Sequence, residues 1–275
     1  MKIDSHHHFW KYSAAEYPWI GERMKHLRRD FLPEHLKLET DAAGIDGVVS
    51  VQARQTVAET AWLLNLAAAN DFIRGVVGWV PLVSPQVGDD LARFAGNRKL
   101  KAVRHVLQDE PDDRHMLRPD FNAGIRVLRE FGLRYDILIF ERHLPVAVEF
   151  VDRHPEQIFI LDHIAKPKIA VNELSPWRES IRALAERANV YCKISGMVTE
   201  ADWQTWTEAQ LQPYLDTVLD AFGPARLMFG SDWPVCLAAC DYARWHRIVS
   251  GFIQNLSTDE QARIMGGTAV EAYGL

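Results

Sequence analysis

Short runs rich in Val, Ile, Leu, Phe and Tyr recur at residues 2–8, 47–54, 75–80, 101–107, 134–140, 158–163, 190–195 and 226–232, eight in all. Most are near-continuously apolar instead of alternating, as expected of parallel strands covered on both faces. Between them, residues 56–70 (TVAETAWLLNLAAAN), 119–131, 144–154, 175–188 and 211–222 carry apolar side chains at helical spacing. Thr56 stands where an N-cap belongs, with Glu59 three residues on, and Gly132, Pro155 and Gly223-Pro224 punctuate helix ends. Strand alternating with helix eight times predicts an α/β fold, a single-domain (β/α)8 barrel over residues 1–275. A doubly wound open sheet is the competing arrangement. No Gly-x-Gly-x-x-Gly follows the first strand, so a dinucleotide site is unsupported. The stretch 9–46, with Tyr17-Pro18-Trp19-Ile20 and a basic patch at 26–29, would sit over the catalytic end of such a barrel as a lid.

Composition narrows the ligand more than the fold. The 275 residues are 48% hydrophobic and 25% charged, with a formal net charge of −6 and no basic cluster or acidic tail. Neither nucleic acid nor a membrane surface is therefore an expected partner, and a small neutral or weakly charged molecule is. Cys192, Cys236 and Cys240 form an odd set without Cys-x-x-Cys spacing, which suits a reducing compartment. The opening MKIDSHHHFW has no signal-peptide core, and a cytoplasmic location is expected. Nothing in the pattern predicts an oligomeric state.

The chemistry of a (β/α)8 enzyme lies at the C-terminal ends of its strands. Those ends supply His6-His7-His8, Gln52 and Arg54, Arg104-His105, Glu141, Asp162-His163, Lys193 with Ser195, and Ser231-Asp232-Trp233. In a strand, i and i+2 share a face, so His6 and His8 point together while His7 points away. Paired imidazoles can hold a divalent metal or polarise a carbonyl oxygen. Asp232, ending an apolar run at the barrel rim, is placed to accept a proton from water, although a helix cap or salt bridge would also explain it. His163 gains weight as a catalyst only beside the other three. Arg104, Glu141 and Lys193 suit ligand binding or pairing among themselves. Trp10, Trp19, Trp79 and Trp233 could wall a sugar ring, with Trp10 and Trp233 favoured. Gln52, Arg54, Arg104, His105 and Glu141 could bond its hydroxyls.

Taken together, DSHHHFW, VRHVLQDEPD, LDHIAKP, and CKISGMVTE followed by MFGSDWPVC resemble the amidohydrolase superfamily (amidohydrolase 2 type). Within it they are most similar to the lactonase branch, that of the bacterial L-fuconolactonases, and the likeness runs from Ile3 to the final GGTAVEAYGL. The resemblance implies that His6 and His8 are the His-x-His of strand one. It makes His163 the strand-six histidine and Asp232 the strand-eight aspartate that activates water. Arg104-His105 stand where a bridging lysine would be, and strand five ends without a histidine, so a carboxylated lysine holding two metals is not available. His6, His8, His163 and Asp232 could bind one divalent ion, zinc first, or the histidines could act without metal as donors to an oxyanion.

The expected activity is hydrolysis of a sugar lactone, L-fucono-1,4-lactone or a related aldono-lactone, to its aldonic acid in deoxy-sugar degradation. Asp232 would act as base and then acid, with His6, His8 and His163 polarising the carbonyl. Two other readings remain open: a metal-dependent decarboxylase of the same superfamily, and a sugar-binding barrel without catalysis.

Overall fold

The computed structural model describes residues 1–275. Eight parallel strands follow one another round a sheet in sequence order. They are β1 (Ile3–His7), β2 (Gly47–Val51), β3 (Ile73–Gly78), β4 (Leu100–Val106), β5 (Arg134–Leu138), β6 (Phe159–Leu161), β7 (Val190–Ile194) and β8 (Leu227–Phe229). Helices α1 (Pro33–Ala43), α2 (Val57–Ala69), α3 (Val87–Ala92), α4 (Pro119–Glu130), α5 (Leu144–Asp152), α6 (Trp177–Ala185), α7 (Glu208–Phe222) and α8 (Tyr242–Ile253) cover the outside. The short α9 (Thr258–Ala262) and α10 (Thr268–Tyr273) complete the chain. The expected (β/α)8 barrel is the observed fold. No helix is long and apolar enough to cross a membrane, and all three cysteines are free and buried.

Local chemistry sets the element ends. Thr56 caps α2, its Oγ1 accepting from the Glu59 amide at 3.1 Å. The third strand starts and stops two residues earlier than the apolar run suggests, because Thr60 Oγ1 takes both the N–H and the C=O of Trp79, each at 2.8 Å. The stretch 9–46 is no bare loop: it holds a 3-10 turn (Glu22–Leu27) and α1, which starts on Pro33 and ends at Gly44 with φ +67°. Helices α3, α8, α9 and α10 also come in addition to those the periodicity predicts.

The barrel interior is layered. At the bottom, Ile3, Val49, Val51, Val77, Ala102, Ile160 and Met228 pack on Ala269, Ala272 and Tyr273 of α10, which plugs that end. Above them lies a buried ionic layer of Arg104, Asp136, Asp162 and Lys193, and the candidate site caps it. Ile3 and His6, three apart, both face inward. A regular strand forbids this, and the register shift between Asp4 and His7 supplies the extra residue.

Outside the barrel, Glu59 is buried and accepts from the amides of Ala53 and Arg54 at 3.1 and 2.5 Å. Burial pushes its pKa up to about 7, against the pull of those amides and the Arg54 guanidinium. A carboxyl raised in the folded state binds more protons than the unfolded chain between about 4.5 and 7, so its contribution to stability falls as pH rises through that window. Glu59→Gln keeps an acceptor for the amides without a titrating group. Its thermal midpoint should therefore fall less than wild type between pH 5 and pH 7.5. Parallel curves for the two proteins would show that Glu59 titrates normally.

Candidate active site

The two ends of the sheet meet at the site itself. The Asp232 amide donates to the His6 carbonyl and the His8 amide to the Trp233 carbonyl, each at 2.7 Å, and Ser5 Oγ donates to the Phe229 carbonyl at 2.6 Å. The buried Asp4 carboxylate accepts from the Ser231 amide at 2.8 Å and the Tyr242 hydroxyl at 3.1 Å, fixing the turn after β8. Asp232 takes a left-handed φ of +57°, which turns its side chain over the barrel axis. His163 does the same after β6, with φ +52°.

These turns bring four groups together. His6 and His8 Nε2 are 3.2 Å apart. Asp232 Oδ1 lies 3.8 Å from His6 Nε2, 3.5 Å from His8 Nε2 and 3.9 Å from His163 Nε2. All four residues are buried. His7 turns away and pairs with Ser50 Oγ at 2.9 Å. Gly196, with φ +64°, leaves room for the His163 ring: a Cβ there would stand 2.5 Å from His163 Nδ1. Gly196→Ala should therefore displace His163 from Ser195 Oγ, now 2.8 Å away. We expect kcat to fall by about two orders of magnitude, the scale of a misplaced catalytic group. Steady-state kinetics beside a thermal melt would separate this from unfolding.

Electrostatics keep the His6 and His163 imidazoles uncharged and the Asp232 carboxylate ionised. Burial, then the Lys193 ammonium, holds His6 well below the usual histidine range. Burial brings His163 down to about 4, against the pull of Asp232. For Asp232, burial acts upward, but His163, His8 and Lys166 outweigh it and the net direction is down. A hydrogen bond then assigns one proton. His8 Nδ1 faces the Val51 carbonyl at 2.8 Å, and a carbonyl only accepts, so Nδ1 carries a proton and Nε2 is the ring nitrogen turned to the site. Around His6, Nδ1 faces Lys193 Nζ at 3.1 Å and Asp162 Oδ1 at 3.3 Å, and Nε2 faces His8 Nε2 at 3.2 Å and Arg104 Nη1 at 3.4 Å.

The cavity above, about 310 Å³, is lined by His8, Arg104, His163 and Asp232 on its floor and by Trp19, Gln108, Lys166, Glu200 and Trp203 on its walls. Trp19 brings the 9–46 stretch to the mouth. Several expected ligand-binding residues lie elsewhere. Trp10 is fully buried, its Nε1 donating to the Arg29 carbonyl, and Trp233 is buried against Phe9 and Phe31. Gln52 lies in the layer beneath, accepting from Arg104 Nη2 at 2.6 Å. Arg54 pairs with Glu16 and Glu59. His105 bonds Glu110 at 2.6 Å and stacks on His115, and Glu141 pairs with Lys168 at 3.4 Å. Length and polarity at a strand end do not reveal which partner claims a side chain. Lys166 and Glu200, by contrast, are in the cavity and sit within the LDHIAKP and CKISGMVTE motifs without having drawn a role.

The amidohydrolase family profile matches residues 3–275. The chain belongs to the amidohydrolase family. Among curated relatives, an L-fucono-1,5-lactonase of Burkholderia multivorans is 44% identical, covering 100% of this chain and 96% of its own. Another L-fucono-1,5-lactonase, of Burkholderia ambifaria, is 34% identical over 99% of this chain and 95% of its own. A crystal structure of an amidohydrolase from Burkholderia multivorans with bound zinc superposes with a TM-score of 0.97 at 44% identity, covering 100% and 99% of the two chains.

As an amidohydrolase, the chain has a donor set that fits one divalent ion. His6 and His8 Nε2 and Asp232 Oδ1 lie 3.2–3.8 Å from one another, close to the ligand spacing of a zinc site with bonds of about 2.0–2.1 Å, and His163 Nε2 lies 3.9 Å from the same carboxylate oxygen. The second ring nitrogens of His8 and His163 are held by Val51 and Ser195, as ligating histidines require. His6 would have to carry its proton on Nδ1, where Asp162 Oδ1 lies 3.3 Å away. Beneath this set, the ammonium of Lys193 and guanidinium of Arg104 already neutralise Asp162 at 2.9 and 3.0 Å, which disfavours a second ion beside the first.

Proposed function

We propose that this amidohydrolase opens a sugar lactone to its aldonic acid, with L-fucono-1,5-lactone or a close stereochemical relative as substrate. The observation that carries the reading is an ionised Asp232 facing the imidazoles of His6, His8 and His163 on the floor of a cavity sized for one sugar ring. Asp232 takes a proton from water as the oxygen attacks the lactone carbonyl. Having gained that proton, it returns it to the departing ring oxygen, which stays tethered to the product. His163 donates from Nε2 when the Ser195 hydroxyl donates to its Nδ1, and the Arg104 guanidinium, lining the same cavity, adds a cationic donor to the developing oxyanion. A divalent ion held by His6, His8, His163 and Asp232 would supply Lewis-acid polarisation of that carbonyl.

The names of the relatives favour a six-membered ring, whereas the sequence resemblance led to the 1,4-lactone, so both rings belong in the test. Acid release is followed with a pH indicator on L-fucono-1,5-lactone, the 1,4-lactone and a panel of other aldono-lactones. Untreated, chelator-treated and zinc-reloaded protein are compared. Rapid acid release is expected, and loss with chelator followed by recovery with zinc would assign the histidines to a metal. No acid from any lactone in any metal state overturns the reading, and release of CO₂ from aromatic or enoic acids would replace it with a decarboxylase.

A further inference from the structure

Lys166 touches the chemistry above only through its charge near Asp232 and Glu200 takes no part in it, yet the fold goes to some cost to aim both side chains at the cavity. After β6, four successive residues, His163, Ile164, Ala165 and Lys166, all have φ between +48° and +61°. Each non-glycine residue in that region costs roughly 1–2 kcal/mol, and a β-branched one such as Ile164 is an outlier there. Surrounding bonds hold the turn: Trp177 Nε1 donates to the Ile164 carbonyl at 2.7 Å and the Lys166 amide to the His163 carbonyl at 2.8 Å. The first residue of the turn is His163. The last is Lys166, delivered to the cavity wall. Glu200 arrives from the loop after β7, tied to the Lys166 side by the Ala170 amide, which donates to the Glu200 carbonyl at 2.9 Å.

The two head groups face each other without touching. Lys166 Nζ lies 3.9 Å from Glu200 Oε1, and the side chains are 17% and 22% exposed. A contact ion pair closes to about 2.7–2.9 Å. Here the ammonium makes no hydrogen bond, lies 5.6 Å from the ring of Phe140, and is near enough to Asp232 to act on it through charge alone. Three donors and a carboxylate edge thus stand open in a partly buried cavity. Across it, Gln108 Oε1 is buried without a partner. Unmet polar groups of both kinds at a half-buried wall call for a ligand that is donor and acceptor at once, and a hydroxyl is both.

We infer that Lys166 and Glu200 form a hydroxyl-reading pair, a sugar hydroxyl accepting from Nζ and donating to the Glu200 carboxylate, with Gln108 accepting from a second hydroxyl. This rests on the lactonase reading and assigns the two residues to substrate recognition, apart from the proton transfers at Asp232. It makes the enzyme selective for a polyhydroxylated ring over a bare lactone.

The test compares kcat/KM for L-fucono-1,5-lactone and for hydroxyl-free δ-valerolactone in wild type, Lys166→Met, Glu200→Gln and the double variant, with thermal midpoints as a check on folding. A hydrogen bond to a charged group corresponds to about a thirtyfold effect. The ratio of the two kcat/KM values should fall by about that factor in each single variant, mostly through KM. The double variant should fall by less than the product of the singles. An equal fall on both lactones, or none, overturns the pair as a hydroxyl reader. Wild-type protein that opens neither lactone overturns the lactonase reading instead. Calorimetric titration with L-fuconate then reads the pair directly. Binding weakened about thirtyfold in the variants sustains it, and binding that is absent in wild type or equal in all four proteins rejects it.

Discussion

Asp232→Asn is expected to lower kcat by about three to four orders of magnitude while leaving the thermal midpoint close to that of wild type. Asparagine is among the few side chains that accept a left-handed φ readily, and the backbone at 232 stays anchored by its amide bond to His6. What is lost is the charge. The amide cannot take a proton from water at neutral pH, and no other carboxylate among the cavity-lining residues lies among the three imidazoles: Glu200 and Asp109 line the walls. Single-turnover kinetics on the substrate found in the lactone panel would measure the chemical step apart from product release. Near-normal turnover would move the base elsewhere in the cavity, with Glu200 next in line because burial raises its pKa.

The largest effect on stability should come from Lys193→Met. Lys193 Nζ sits fully buried, 2.6 Å from Asp136 Oδ2 and 2.9 Å from Asp162 Oδ1. Burial raises Asp136 to about 6 even with that ammonium present, and Tyr273 lends it a further hydrogen bond at 2.7 Å. Removing the lysine leaves two carboxylates in a closed interior with Arg104 as the remaining strong counter-charge. Breaking a buried pair in this way costs about 3–5 kcal/mol, or on the order of 10 °C in the midpoint of a protein this size. Adding Asp136→Asn should recover part of the loss, since it removes one of the orphaned charges. A midpoint within about 2 °C of wild type for the single variant would mean that water enters this layer and solvates it.

The barrel was legible because its signal is collective. Eight apolar runs separated by helical stretches admit few arrangements, and a shift of two residues at β3 does not disturb the count. The clustering of His6, His8, His163 and Asp232 was legible too, His6 and His8 from the period of a strand and all four from the motif resemblance, and their roles stay part of the proposed function. The walls were not. Trp10 and Trp19 are nine residues apart in one segment, and only the packing of Trp10 on Tyr17 and Phe31 decides that Trp19 is the one facing the cavity. Likewise Arg104, His105 and Glu141 all end strands or begin loops, but their partners come from elsewhere in the chain: Asp162 for Arg104, Glu110 for His105 and Lys168 for Glu141. Lys166 reaches the mouth through a run of left-handed residues that no propensity would anticipate.

The seam between the last strand and the first carries one more implication. Its backbone bonds belong to His6, His8, Asp232 and Trp233, so the ladder that makes a ring of the sheet is made largely by the residues proposed above to react. An opened ring would therefore have no base beside its imidazoles, and a nearly complete fold would have no activity at all. Assembly of the catalyst and closure of the circle are one cooperative event. The amide protons of His8 and Asp232 accordingly keep time with it: their exchange with solvent reports, residue by residue, how often the enzyme ceases to be one.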